Sequence, residues 1–202
     1  MLISRFLKFL VREKTSELSK EAIEEISPPL EISAEVPEQP YRDYSDFCLR
    51  MESLVEQYCS NFSNRLSKLE KCPLISIIMP IYDPDPKWLR AAIESVIEQI
   101  YPDWELCLAD DCSSDPRIRR LIEDYSKKHD KIRVVFREQN GHISEASNSA
   151  LAVAAGEYVA LLDHDDYLPK HALARVIDCI NDHPETDIIY TDEDKIDESG
   201  NR

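Results

Sequence analysis

From Leu74 onward, short apolar runs alternate with longer amphipathic stretches, and this alternation constrains the fold more than any other feature. "LISIIMP", "WELCLAD", "IRVVFR", "EYVALL" and "TDIIYTDED" read as strands. Between them, "KWLRAAIESVIEQI", "PRIRRLIEDYSKKH", "ISEASNSALAVAA" and "PKHALARVIDCIND" read as helices. Leu89, Ile93, Val96, Ile97 and Ile100 share one helical face. Pro116 and Pro169 suit first helical turns, and Gly156 suits a helix stop. Apolar strands alternating with helices predict an α/β fold with a mostly parallel sheet flanked by helices.

The residues before this region have a different pattern. Residues 1–26 read as a basic amphipathic helix that continues as a charged one. Leu2, Ile3, Phe6, Leu7 and Leu10 fall at helical spacing, and Arg5, Lys8 and Arg12 fall elsewhere. Such a helix, over residues 1–14, can make peripheral contact with an anionic membrane surface; packing on protein is the equal alternative. Residues 27–42 form a Pro- and Glu-rich linker. Residues 43–72 carry a second amphipathic helix, with Phe47, Met51, Leu54, Val55, Tyr58, Phe62, Leu66 and Leu69 as its stripe. Residues 73–202 form the α/β domain.

Composition removes several function classes. The formal net charge of −16 argues against nucleic acid, which needs a basic surface. Three glycines in 202 residues leave no glycine-rich phosphate loop. No run approaches the ~20 apolar residues a bilayer requires. The six cysteines have no CxxC pairs and read as reduced cytoplasmic thiols. Localisation is therefore expected to be cytoplasmic, or peripheral on the inner face of the cytoplasmic membrane.

In an open α/β sheet, ligands bind beyond the carboxyl ends of the strands. Those ends collect acidic groups: Asp83, then Asp110, Asp111 and Asp115, then "DHDD" at 163–166, then Asp192, Glu193 and Asp194. Asp115, before Pro116, suits a helix N-cap as well as a ligand contact. The "DHDD" run is electrostatically costly. Two like charges about 4 Å apart repel by roughly 4 kcal/mol at an effective dielectric of about 20. Strand alternation would point Asp163 and Asp165 to one side and His164 away. Two carboxylates so placed can hold Mg²⁺ or Mn²⁺, which prefer oxygen ligands and commonly share them with substrate phosphates.

"SIIMPIYDP", "LCLADDCSSD", "NGHISEASNSAL" and "GEYVALLDHDDYLP" together resemble the nucleotide-sugar half of family 2 glycosyltransferases, which have the GT-A (Rossmann-like) fold. The wording of "NGHIS", "LLDHDD" and "YTDEDKID" is similar to a bacterial subgroup of rhamnan and O-antigen polysaccharide synthesis. The resemblance covers about residues 74–197. It implies that Pro80, Tyr82 and Asp83 border the nucleotide and that Asp111 accepts from a uracil or thymine imide. It implies that Asn140, Gly141 and Asn148 line the diphosphate and sugar, and that Asp163 and Asp165 form a metal-binding DxD motif. Asp166 would orient the sugar or the metal's waters. Many relatives carry Arg before the asparagine matching Asn148; Ser147 stands here, so that cationic contact to the diphosphate is either lacking or comes from elsewhere.

The implied reaction is metal-dependent, inverting transfer of a sugar from a UDP- or dTDP-linked donor to a polysaccharide or lipid-linked saccharide acceptor. The general base is expected beyond residue 202, with the acceptor half of the fold absent. Asp192, Glu193 and Asp194 are the late carboxylates, and none is assigned as base, since loops after strands are commonly acidic. The alternative is a non-catalytic nucleotide-binding or interaction module.

Overall fold

The protein is described by a computed structural model over residues 2–5, 10–12, 44–191 and 193–196. Two compact units divide the chain, Met1–Glu13 with Tyr58–Arg202, and Lys14–Gln57. Of the second unit, only the first turns of one helix fall among the described residues. The elements in order are β1 (Leu2–Arg5), β2 (Leu10–Arg12), α1 (Tyr44–Leu66), β3 (Ile75–Ile81), α2 (Pro86–Ile97), β4 (Trp104–Asp110) and α3 (Pro116–Lys128). There follow β5 (Ile132–Phe136), α4 (His142–Leu151), β6 (Tyr158–Leu161), α5 (Ala172–Asp182), β7 (Ile188–Ile189) and β8 (Glu193–Ile196).

The main sheet has the order β5-β4-β3-β6-β2-β7. β3 pairs in parallel with both β4 and β6, and β4 pairs in parallel with β5. The chain thus runs outward from β3 to β5, then crosses back to lay β6 on the other side of β3. Strands this buried must be apolar on both faces. Every residue of β4 is buried, as is all of β3 except Pro80.

Caps and prolines start two of the helices as their residues predict. Asp85 accepts from Lys87 N at 2.8 Å, with Pro86 at the first helical position of α2. Asp115 does the same for α3, accepting from Arg117 N at 2.9 Å. The C-terminal half of α1 is fastened to α5. Phe62 is 1 % exposed in the core. Tyr58 Oη and Arg65 Nη2 both donate to Asp178, each at 2.7 Å.

Several expectations need correction. The N-terminal residues described are strands, not an amphipathic helix. β2 lies between β6 and β7 and pairs antiparallel with both, while β1 pairs antiparallel with β8. A helix there would leave the hydrogen-bonding edge of β6 unpaired, and satisfying that edge outweighs the helical spacing. The ground for a membrane-lying helix over residues 1–14 goes with it. The rest of residues 1–26, and the linker at 27–42, lie outside the described residues. The strand expected at "TDIIYTDED" is two strands, β7 and β8, in different sheets.

Gly156 is not a helix stop either. α4 ends at Leu151, with Ala152 as its C-cap. Gly156 instead passes close to β3. Its N–H donates to Ser76 Oγ at 2.8 Å, and a Cβ there would sit 2.6 Å from both Leu74 O and Ser76 Oγ.

Candidate active site

The carboxyl ends of β3, β4 and β6, with the start of α4, enclose a cavity of about 360 Å³. It lies where strand order reverses, with β4 on one side of β3 and β6 on the other, which is the place such sheets reserve for ligands. Pro80, Ile81 and Tyr82 line it from β3, and Asp111 from the end of β4. Asn140, His142, Ile143 and Ala146 come from the β5–α4 connection and α4, and Asp163, His164 and Asp165 from the residues after β6.

The local backbone is strained at this edge. The described non-glycine residues with positive φ are Asp83 (41°), Cys112 (66°) and His142 (65°), which follow β3, β4 and β5 in turn. Each such conformation costs on the order of 1–3 kcal/mol and persists only where neighbours enforce it. The enforcing bonds are visible. Asn140 Oδ1 accepts from His142 N at 3.1 Å. Asp83 N donates to Ser113 Oγ at 2.9 Å, and Asp83 Oδ1 accepts from Ser114 N at 2.7 Å. The loops after β3 and β4 are thereby braced against each other.

Asp111 is 1 % exposed, and its N–H donates to Ile81 O at 2.8 Å. Its carboxylate accepts from Arg137 Nε at 2.7 Å and from Gly141 N at 3.0 Å. Asp163 and Asp165 stand in a tight turn, not on a strand. β6 ends at Leu161, and Asp166 N donates to Asp163 O at 3.1 Å. Strand alternation therefore does not operate there. His164 lines the cavity with its two neighbours, contrary to the expectation that it points away. His164 Nδ1 lies 3.2 Å from Pro80 O. A carbonyl can only accept, so in the neutral ring Nδ1 carries the proton and Nε2 is the acceptor.

Pro80, Tyr82, Asp111, Asn140, Asp163 and Asp165 are thus gathered at one cavity. Asp83, Gly141, Asn148 and Asp166 are not among its lining residues. Asp83 braces the loop at Ser114, and Gly141 holds Asp111. Asn148 is exposed on α4, and Asp166, the last residue of the turn, is 4 % exposed. Sequence reasoning missed Arg137, His142, Ile143, Ala146 and His164. The position of Ile143, a large apolar residue directly after the "NGH" turn and 63 % exposed, was the available signal for one of them.

The lining holds three aspartates and no Lys or Arg. Among the described residues, no three His, Cys, Asp or Glu side chains gather around one point as a ready metal cage. Two carboxylates at one mouth, of hard oxygen donors, fit Mg²⁺ or Mn²⁺ whose remaining positions are filled by water and substrate phosphates. The described cysteines Cys59, Cys72, Cys107, Cys112 and Cys179 are all free thiols.

This sheet order, with its cavity at the reversal point, is that of a doubly wound α/β domain, and the likeness to solved glycosyltransferases makes it a GT-A domain. S. aureus TarS has the same fold over 55 % of this chain and 33 % of its own, with TM-score 0.51 and 32 % identity; it has also been solved in complex with UDP-GlcNAc. Residues 76–201 match the pattern described as "Glycosyl transferase family 2", and the chain belongs to that family. It is 54 % identical over 140 residues to the protein y4gI of Sinorhizobium fredii, covering 69 % of this chain and 15 % of that protein. It is 36 % identical over 137 residues to the O-antigen biosynthesis protein RfbC of Myxococcus xanthus, covering 68 % and 11 %. The chain therefore spans a small part of the length of these relatives.

Proposed function

We propose that the cavity binds a nucleoside diphosphate sugar, UDP- or dTDP-linked, as donor for transfer to a polysaccharide or lipid-linked saccharide acceptor. One observation carries this reading: Asp111 from the β4 end and the Asp163–Asp165 turn from the β6 end converge on one cavity across β3. Asp111 is a buried acceptor suited to the N–H of a base. Tyr82, half-exposed beside it, offers a ring face against which a base can stack.

At the other end, the diphosphate meets an acidic wall without Lys or Arg. Asp163 and Asp165 would hold Mg²⁺ or Mn²⁺, which supplies the positive charge and Lewis acidity that the leaving diphosphate needs. In the reaction, an acceptor hydroxyl oxygen bonds to the anomeric carbon from the face opposite the diphosphate. The bond from that carbon to the diphosphate oxygen breaks, and its electron pair leaves with the diphosphate. The hydroxyl proton passes to a general base, which is not assigned to a residue here. The compartment this implies is the cytoplasm, where thiols stay reduced. Relatedness to RfbC supports an envelope-polysaccharide acceptor.

Calorimetry of the 202-residue chain with UDP, with and without Mg²⁺ or Mn²⁺, tests the proposal. UDP should bind more tightly with the metal, and Asp165→Ala should remove most of that increment, about 10-fold or more in affinity. A folded protein showing no metal-dependent UDP binding refutes it.

A further inference from the structure

Arg137 does not line the cavity, yet it contacts two elements that shape it, the end of β4 and α4. Its Nε donates to Asp111 Oδ1 at 2.7 Å, with the two side chains 21 % and 2 % exposed. Its Nη1 donates to Glu145 O at 3.1 Å and to Ser149 Oγ, both on α4. Its backbone N–H donates to Asp110 O at 2.9 Å. One side chain therefore ties the end of β4 to the helix that carries His142, Ile143 and Ala146 into the cavity wall.

The bonds on Asp111 are unequally shared. Oδ1 accepts from both Arg137 Nε and Gly141 N, while Oδ2 accepts from Gly141 N alone, at 3.0 Å. A carboxylate oxygen has two lone pairs, so Oδ2 retains capacity for one more donor. Both partners of this carboxylate are donors, and it accepts from each. Gly141 packs closely in the same arrangement: a Cβ there would lie 2.5 Å from Arg137 Nη2 and 2.8 Å from Glu145 Cβ.

We infer that Arg137 is a positioning residue for nucleobase selection: it holds Asp111 as an acceptor, so that the cavity admits bases presenting a ring N–H. Uracil and thymine present one at N3. Cytosine presents a lone pair there and is repelled. The inference rests on the reading of the cavity as a nucleotide site.

The test is calorimetry of the 202-residue chain with UDP and CDP in Mg²⁺, comparing wild type, Arg137→Met and Arg137→Lys. The wild type should prefer UDP. Arg137→Met should weaken UDP by about 10-fold to 100-fold, the range for a lost hydrogen bond to a charged group. It should also bring the UDP-to-CDP ratio toward one while the gain in affinity on adding Mg²⁺ persists. Arg137→Lys, which keeps one donor, should restore part of the ratio.

An unchanged ratio in Arg137→Met overturns the inference and leaves the nucleotide site standing. Equal loss of both nucleotides and of the Mg²⁺ response, in a protein with a normal melt, also overturns it, since that marks a merely structural strut. Should Arg137→Met fail to fold, Arg137→Lys decides: an unchanged ratio there overturns the inference. A wild type that binds no UDP overturns the site reading and this inference with it.

Discussion

Glu105 is the most informative position at which to perturb this fold. It lies on β4 opposite Ser76 of β3 and is 4 % exposed. Its Oε1 accepts from Ser76 Oγ at 2.6 Å and from Ala155 N. Its Oε2 meets Arg133 Nε at 2.9 Å, but Arg133 is half-exposed. Ser76 Oγ in turn accepts from Gly156 N, so the network anchors the turn that leads into β6.

Two effects compete here. The ion pair with a half-exposed arginine is worth at most about 1 kcal/mol, as surface pairs are. The buried Ser76 hydroxyl would lose about 1–3 kcal/mol if left without a partner, whereas the N–H of Ala155, an exposed residue, can turn to water. Glu105→Ala should therefore cost roughly 1–4 kcal/mol, and Glu105→Gln, which keeps one acceptor oxygen, about 1 kcal/mol or less. At roughly 2–4 °C per kcal/mol for a chain of this size, Glu105→Ala should lower Tm by about 2–16 °C. Urea unfolding of both variants, and of Ser76→Ala with and without Glu105→Ala, measures this. The double-variant cycle should show coupling of at least about 0.5 kcal/mol. Glu105→Gln proving as costly as Glu105→Ala would refute the reasoning, because the ion pair would then outweigh the buried hydrogen bonds.

Gly156→Ala should destabilise by about 1–3 kcal/mol through overpacking, since the atoms its Cβ meets are the backbone of Leu74 and the Ser76 network; a Tm equal to wild type would contradict the close approach. Alkaline pH should also unfold the domain. Burial raises the Tyr58 hydroxyl above 10.0, helped by its bond to Asp178, and raises the Tyr101 hydroxyl likewise. Burial, then the charge of Glu105, pushes the Cys107 thiol up from 9.0 to about 12. These groups hold their protons longer when folded, so their contribution is full below the unfolded values and lost as pH climbs through the folded ones. The urea midpoint should fall progressively above pH 9.0, the ordinary thiol value, and a midpoint unchanged up to about pH 12 would refute the sign.

Much of the sheet was legible because buried parallel strands leave continuous apolar runs, as in "ISIIMPI" and "WELCLAD". The acidic edge was legible because Asp111, Asp163 and Asp165 follow such runs directly. Arg137 was not legible: one arginine after a strand reads as solvated, and its role appears only when α4 folds back over it. The turn at Asp163–Asp166 was hidden because β6 stops two residues before the first aspartate. β2 was missed for a different reason. Its partners are far away in sequence, whereas helical spacing is a local signal, and local signals yield to tertiary pairing.

That last strand has a consequence for how the molecule is made. β6 and β7 share no backbone bonds in the ladder; each is paired to β2. β2 lies near the start of the chain, and β7 near the end of the described residues. Closing so long a loop adds little to the equilibrium cost, which grows only logarithmically with length. It slows assembly, because contacts between distant segments form late. During synthesis, residues 10–12 emerge before either partner exists and must wait for β6 and then β7. The outer part of the sheet is completed by residues that left the ribosome before either of their partners.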